Sequence, residues 1–575
     1  MRKNKLRKSM LIMGIGLTML GLGACNKASE DTTTVTELDS TIAIDTSQNG
    51  DADANTVQGE DEVVEIVLSD SGITVDEVAV SSDTSESVYV ANDIIYYETG
   101  KDFTYGEGTE ADAHDSEEAL NHTVVHITKP GTYNVSGKLS KGQIAVDLGE
   151  DAKDNPEAVV TLIMDNADIT CDVAPAVIFY SVYECGNDDA DSASKDVDTT
   201  EAGANVIIAD DSTNTVNGSY VAKIYKPDSV VLSEDKAEVV DSSKLHKYDG
   251  AFYSKMSMNI EGGQNSNGVL NINAENEGLD SELHLTINGG IININSGNDG
   301  INTNEDGVSV TTINGGSVNI LVNGDTGEGD GIDSNGWLVI NGGKVTAQAC
   351  SDSADAGIDS DMGIHITGGT VMATGHMLDR IEDGGQTYAV FNFNGKQTLE
   401  ETVYLKDESD AIVMEACPDN AYSVMIYSSP ELVSGIYTLW SGDTQLANQG
   451  GTMGGPGNNG MNQDGMTPPE GMEMPEGMEP PEGMEMPEGM EPPEGMEKPE
   501  GMEPPEGMEM PEGMEPPQGM EMPEGMEPPQ DGERPDKPED NNGDFMNPNN
   551  QGNYTQEKTY EFQINEGANM FGGIS

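Results

Sequence analysis

Leu283-His284-Leu285-Thr286-Ile287-Asn288-Gly289-Gly290 runs into Ile291-Ile292-Asn293-Ile294, and Asp299-Gly300-Ile301-Asn302 then turns the chain towards the next Gly-Gly. This text recurs from Met256 to Gly375. Gly-Gly pairs fall at Gly262-Gly263, Gly289-Gly290, Gly315-Gly316, Gly342-Gly343 and Gly368-Gly369, at steps of 27, 26, 27 and 26 residues. A fixed period of this size marks a solenoid, whose single coil cannot bury its apolar face alone. The residues on either side alternate apolar and polar with period two, as in Ile364-His365-Ile366 and Val318-Asn319-Ile320, so they read as strands and not helices. Short strands broken by glycine at sharp corners describe a parallel β-helix.

The alternation assigns faces. Ile332 and Ser334 point in while Asp333 and Asn335 point out, and Ile358 and Ser360 point in while Asp359 and Asp361 point out. Stacking at about 4.8 Å then makes three acid-rich columns: Asp280, Asn302, Asp333, Asp359; Glu282, Asn304, Asn335, Asp361; and Glu277, Asp299, Asp330, Asp355. Two groups stand out, Asp355, Asp359 and Asp361 with Asp330 and Asp333, and Glu277, Asp280 and Glu282 with Asp299. Calcium takes six to eight oxygen ligands, and a divalent cation relieves the repulsion of stacked carboxylates. Turn preference explains any one of these acids; for the groups, Ca²⁺ is the expectation.

Composition narrows the class. The 575 residues carry 26 Lys and Arg against 105 Asp and Glu, a formal charge of −79. No basic stripe exists to neutralise phosphates, so nucleic acid is excluded as a partner. Five cysteines in a chain this long imply no disulfide framework.

Working outward, Arg2, Lys3, Lys5, Arg7 and Lys8 precede an apolar run from Met10 to Leu22, a signal peptide in residues 1–25. Leu22-Gly23-Ala24-Cys25 resembles a bacterial lipobox, which implies lipidation at Cys25 and a place on the outer face of the cell membrane. Residues 26–62 are polar and acidic and read as a disordered tether. Strand text with less regular coils begins at Val63, and the β-helix is expected over 63–377, with Gly186 to Ala202 and Lys223 to Lys247 as corner insertions. A β cap follows over 378–449. In 450–552 a Gly-Met pair recurs every six residues from Gly465-Met466 to Gly525-Met526 among prolines and glutamates. This is an extended, disordered tract, a spacer or, through its thioethers, a soft-metal ligand. Residues 553–575 return to strand text and are expected to pair back onto the cap.

The run Lys129-Pro130-Gly131-Thr132-Tyr133-Asn134-Val135-Ser136-Gly137-Lys138-Leu139, then Met164-Asp165-Asn166-Ala167-Asp168-Ile169-Thr170, then Ala251-Phe252-Tyr253-Ser254-Lys255 and the Gly-Gly coils, resembles the carbohydrate-binding β-helix family of clostridial surface proteins, over roughly Val63 to Asn448. The resemblance implies a right-handed parallel β-helix similar in shape to polysaccharide lyases, calcium bound by corner carboxylates, and binding of cellulose or of acidic sugars such as polygalacturonate.

The expected reading is a monomeric, non-enzymatic, calcium-binding surface lipoprotein that holds a polysaccharide. The alternatives are a calcium-dependent lyase and a structural adhesin with no sugar site. A lyase needs a strong base beside the metal, yet no Lys or Arg occurs between Met256 and Gly343; Lys255, Lys344 and Arg380 are nearest. Asn302, Asn304 and Asn335 beside the acids are candidate sugar contacts. Trp337 faces outward, either to stack on a sugar or to pack beneath the following loop. His284 and His365 face outward as surface strand residues.

Overall fold

The structure, a computed structural model, describes residues 63–186, 188–190, 192–397, 401–448 and 558–575. The expected signal peptide with Cys25, the expected acidic tether and the Met- and Pro-rich tract lie outside the described residues. The described chain is all-β. Its one α-helix, Ser116–Leu120, is a single capping box in which Asp115 accepts from the Glu117 and Glu118 N–H groups and Glu118 reaches back to Asp115.

The Gly-Gly period builds three ladders of parallel strands. The first ladder stacks Met258–Gly262, Leu285–Ile287, Val310–Ile313, Trp337–Ile340 and Gly363–Ile366, in the register Ile260, Ile287, Ile313, Ile340, Ile366. The second stacks Val269–Ala274, Ile291–Ser296, Ser317–Val322, Lys344–Gln348 and Thr370–Gly375, aligning Ile272, Ile294, Ile320, Ala347 and Ala373. The third stacks Gly250–Ser254, Glu277–Ser281, Ile301–Thr303 and Ile332–Ser334, aligning Phe252, Leu279, Ile301 and Ile332. Every residue in these three rows is buried. Full burial of each large aliphatic side chain contributes about 1.5–3 kcal/mol, so each repeat is held chiefly by the aliphatic residues above and below it.

The pairing extends upstream. Val64–Leu68, Gly131–Leu139, Val160–Cys171 and Ala204–Ile208 continue the first ladder in parallel. Thr123–Ile127, Gly142–Asp147 and Val177–Ser181 continue the third. Outside the aliphatic rows, amides stack as the sheets do. Asn314 Nδ2 donates to Asn288 Oδ1 at 2.8 Å, Asn341 Nδ2 to Asn314 Oδ1 at 2.9 Å, and Thr367 Oγ1 to Asn341 Oδ1 at 2.6 Å.

Past the repeats, Thr370–Gly375 pairs antiparallel with Tyr422–Ser428, which pairs antiparallel with Tyr388–Gln397. Ala568–Ile574 runs parallel to Tyr388–Gln397. A second apolar core forms here, with the Phe391 and Phe571 rings stacked at 5.6 Å and Phe562 edge-on to both.

The second glycine of the last four pairs, Gly290, Gly316, Gly343 and Gly369, has a positive φ, which explains the motif there. Gly316 has φ +78°, and a Cβ there would lie 2.6 Å from the Gly290 carbonyl oxygen of the preceding repeat. Gly327 has a similar φ of +97° but no heavy atom within 4 Å of such a Cβ. Gly327→Ala should therefore cost only the left-handed backbone, about 1–2 kcal/mol, whereas Gly316→Ala should cost clearly more because two repeats are forced apart. Denaturant melts of the two variants compare them directly; equal losses would mean that close stacking is not what the Gly-Gly pairs secure.

Candidate functional site

The third ladder carries the acids, and its pairing sets their order. Tyr253 aligns with Asp280, Asp280 with Asn302, and Asn302 with Asp333; the Asp359 N–H donates to the Ile332 carbonyl, which continues the stack. The inward partners on these strands are Ser281, Thr303 and Ser334, the last two joined hydroxyl to hydroxyl at 2.8 Å. The column continues one step past the repeats. Met377 and Ile381 make single β-contacts with Ala356 and Ile364, and between them Asp379 Oδ2 accepts the Ser360 N–H at 3.1 Å, bringing its charge against Asp359.

The structure resolves the acids into two triads, each offering carboxylate oxygens within 4.8 Å of one another: Asp249, Glu277 and Asp280, and Asp330, Asp333 and Asp359. Two like charges at that distance repel by roughly 3.5 kcal/mol at an effective dielectric near 20. Neither triad is stable fully ionised without a counter-charge.

The upstream triad is buried, and the reason is the second insertion. Its strands Val221–Tyr225 and Lys244–Tyr248 form a hairpin that lies over the ladder. Tyr248 packs edge-on against Tyr180 and Tyr253 at 5.5 and 5.2 Å. The hairpin also delivers two ammonium groups. Lys247 Nζ pairs with Asp249 Oδ2 at 2.5 Å, and Lys244 Nζ with Glu282 at 2.8 Å. Burial opposes a charge on Lys247, but Asp249, Glu277 and Asp280 outweigh it and hold the ammonium protonated. Even so, Glu277 Oε2 and Asp280 Oδ2 are buried with no hydrogen-bond partner, and desolvation first, with neighbouring carboxylates second, pushes both groups well above the usual carboxylate range.

The downstream triad is only half-buried, and among the described residues no ammonium or guanidinium group forms an ion pair with it. Desolvation, reinforced by the adjacent acids, raises Asp330 to about 9 and Asp333 and Asp359 to about 7. Asp299 stands between the triads; its Oδ1 accepts the Asp330 N–H at 2.7 Å, and burial raises it to about 7. Asp359 Oδ1 and Asn302 Oδ1 are buried oxygens with no partner. Acceptor-only oxygens that face each other without donors suit a hard cation.

Several residues differ from their expected roles. Glu282 does not join the upstream triad; it accepts from Lys244 and from the Tyr253 hydroxyl. Asp355 is diverted to the neighbouring turns, where its Oδ2 takes the Gly329 N–H at 2.6 Å and the Ser353 hydroxyl. Asp361 is exposed beside Asp333. Asn302, Asn304 and Asn335 are hydrogen-bonded within the column: Asn302 donates to Asn304 Oδ1, Asn304 to Asp280 Oδ1 at 2.6 Å, and Asn335 to the Asn304 carbonyl. His284 is wholly buried, not outward in solvent, because the first insertion covers it; its Nδ1 accepts the Val310 N–H at 3.1 Å. Arg380 pairs with Glu382 at 2.7 Å. Lys344 is exposed on the second ladder.

One triad member, Asp249, and one triad neighbour, Asp379, were missed in the sequence. Asp249-Gly250 repeats the acid-glycine dipeptide of Glu277-Gly278, but the insertion before it hides the period. Asp379 follows the last Gly-Gly and has no periodic signal.

With this geometry in view, the chain can be compared with known proteins. Residues 121–399 match the family described as Carbohydrate-binding domain-containing protein. The matched stretch is just under half of the chain and contains both triads. No curated protein matches the chain. A solved structure described as that of the polysaccharide lyase-like protein from C. thermocellum, gadolinium derivative, is similar at 20% identity over 54% of this chain and 93% of that one, with a TM-score of 0.29.

The raised carboxylates make a signed prediction. A group whose folded pKa exceeds its unfolded value stabilises the fold while protonated, and that contribution is lost as pH rises through the folded pKa. For Asp299, Asp330, Asp333 and Asp359 the window runs from the unfolded value of about 4 to the folded values of about 7 to 9. In chelator the protein should melt several degrees higher near pH 5 than near pH 8, and excess calcium should flatten or reverse the slope. Differential scanning calorimetry decides; a chelated protein more stable at the higher pH would show that the column is not a set of strained acids.

Proposed function

We propose that this chain is a calcium-binding carbohydrate-binding module, and that its three parallel ladders are the faces of one right-handed parallel β-helix. In-register parallel pairing at the Gly-Gly period supports the helix. The match of residues 121–399 to a carbohydrate-binding family supports a polysaccharide partner, which we take to be of the cellulose or polygalacturonate type. The single observation that carries the metal is the downstream triad, in which Asp330, Asp333 and Asp359 converge with an unpartnered Asp359 oxygen and no cationic side chain paired to them.

The two triads are not equivalent. The upstream one holds its own cation, the Lys247 ammonium. Calcium belongs downstream, where it neutralises three carboxylates and ties consecutive repeats together. Lipidation at Cys25 would place the module on the outer face of the cell membrane, beyond the 26–62 spacer. The arrangement favours binding over lyase chemistry, because Arg380 is held by Glu382 and the two ammonium groups at the upstream triad, Lys244 and Lys247, are held by Glu282 and Asp249.

The metal assignment is tested by titration calorimetry with calcium. Wild type should take one ion, Asp333→Asn with Asp359→Asn none, and Lys247→Met two, because removing the ammonium frees the upstream oxygens. An unchanged stoichiometry in Lys247→Met would remove the internal-cation argument.

The sugar is tested by electrophoresis through gels containing polygalacturonate or soluble cellulose, with calcium or chelator, while ultraviolet absorbance is followed. Retardation without unsaturated product is expected. An absorbance rise would make the protein a lyase, and migration unaffected by either glycan would leave a structural adhesin.

A further inference from the structure

The acid column occupies the outer face of the third ladder. The outer face of the first ladder is chemically different. Leu338 and Ile340 point inward and are fully buried, so Trp337 and Val339 point outward on the same strand. Trp337 lies between Val310 and Gly363, and Val339 lies between Thr312 and His365. At the adjoining corner stand Asn341 and Thr367, the end of the amide ladder. This face offers an indole, an imidazole, an amide and hydroxyls, with no carboxylate among the outward residues of these central strands.

The first insertion roofs this face. Its Thr199 hydroxyl hydrogen-bonds with Asn259 Oδ1 and with the Thr286 hydroxyl, both at 2.7 Å, and the Thr199 carbonyl accepts from Asn259 Nδ2 at 2.6 Å. These bonds pin the segment over the upstream repeats. Further downstream it stands off from the sheet and leaves a groove of about 400 Å³, with Lys195 in the roof and Thr312, Val339, His365, Asn341 and Thr367 along the floor and edge. Among the described residues neither the His365 imidazole nor the Trp337 indole N–H makes a hydrogen bond within the protein. Gly363 flanks Trp337 in the strand row, and the space where its side chain would lie is taken by the Glu382 and Arg380 side chains.

Charge selects the ligand class. Lys195 pairs with Asp196 at 2.5 Å, and Arg380 pairs with Glu382. Asp198 is turned to the Thr200 N–H and hydroxyl, which leaves the groove with one uncompensated negative charge on a chain of net charge −79. A polyanion is disfavoured here, and hydroxyl groups are matched.

We propose that the groove between residues 195–198 and the first ladder is a glycan subsite for an uncharged sugar chain, with His365, Asn341 and Thr367 as hydroxyl partners inside it and Trp337, outside its lining but on the same outward face two residues before Val339, as a stacking surface beside it. It is separate from the calcium column and does not use a metal bridge to the sugar. The proposal rests on the carbohydrate-binding reading above and says where on the molecule that binding occurs.

The test uses the full chain in saturating calcium, run through gels of hydroxyethylcellulose and of polygalacturonate, with melting temperature and calcium stoichiometry measured alongside. Trp337→Ala and His365→Ala should each weaken retention by hydroxyethylcellulose about tenfold while leaving both control readouts unchanged. Asn341→Ala, at an exposed corner, reads the same groove should either variant fail to fold. Wild-type retention by hydroxyethylcellulose that all three variants keep would overturn the groove and leave the carbohydrate reading standing. Retention by polygalacturonate alone would overturn the uncharged class. Wild type held by neither glycan would overturn the carbohydrate reading, and the groove with it.

Discussion

In-register stacking of parallel strands sets every other property of this molecule. Identical positions of successive repeats lie about 4.8 Å apart, so whatever the sequence places at one position, inward or outward, meets its own kind above and below. For isoleucine this is favourable, and the buried rows of Ile260, Ile287, Ile313, Ile340 and Ile366 follow. For asparagine it is also favourable, because an amide both donates and accepts, and the Asn288, Asn314, Asn341 chain of hydrogen bonds is the result. For aspartate it is costly, because a carboxylate can only accept.

The third ladder meets that cost in three ways. Asparagine interrupts the acids: Asn302 separates Asp280 from Asp333, and Asn304 from the next column donates to Asp280. Backbone N–H groups are turned onto carboxylates, as at Asp299, Asp330 and Asp355. The hairpin supplies Lys247 to the upstream triad. None of these reaches Asp333 and Asp359 together, so the charge on that pair is left without a partner; burial first, and the adjacent acids second, raise both groups. That residue of unneutralised charge is a stronger indication of a cation than the number of acids, since a column fully served by amides and lysine would have no use for one.

Periodic features were legible in the sequence and aperiodic ones were not. The Gly-Gly corners, the inward Ile and Ser positions and the order Asp280, Asn302, Asp333, Asp359 all follow from a repeat and an alternation, which are local properties of the text. His284 follows the same alternation yet is buried, because burial depends on what lies above the sheet, and that is a segment more than eighty residues earlier in the chain. Lys247 and Asp249 were unreadable as partners of Glu277 and Asp280 for the same reason. An insertion has no period, so its path over the surface is decided by tertiary contacts such as Tyr248 against Tyr180 and Tyr253. Asp379 lay just beyond the last repeat, where period-based reading stops.

The two insertions also explain how one repetitive scaffold supports two unlike surfaces. Each covers one ladder and is tied to it by polar side chains, Thr199 on the first and Lys244 and Lys247 on the third. Over the acid ladder the hairpin packs closely and brings charge, which closes the upstream end and leaves the downstream triad reachable. Over the first ladder the roof touches down at Thr199 on Asn259 and Thr286 and then lifts away, which leaves Val339 and His365 along the groove floor. The repeats thus determine which chemistry is displayed on each face, and the insertions determine which repeats remain accessible.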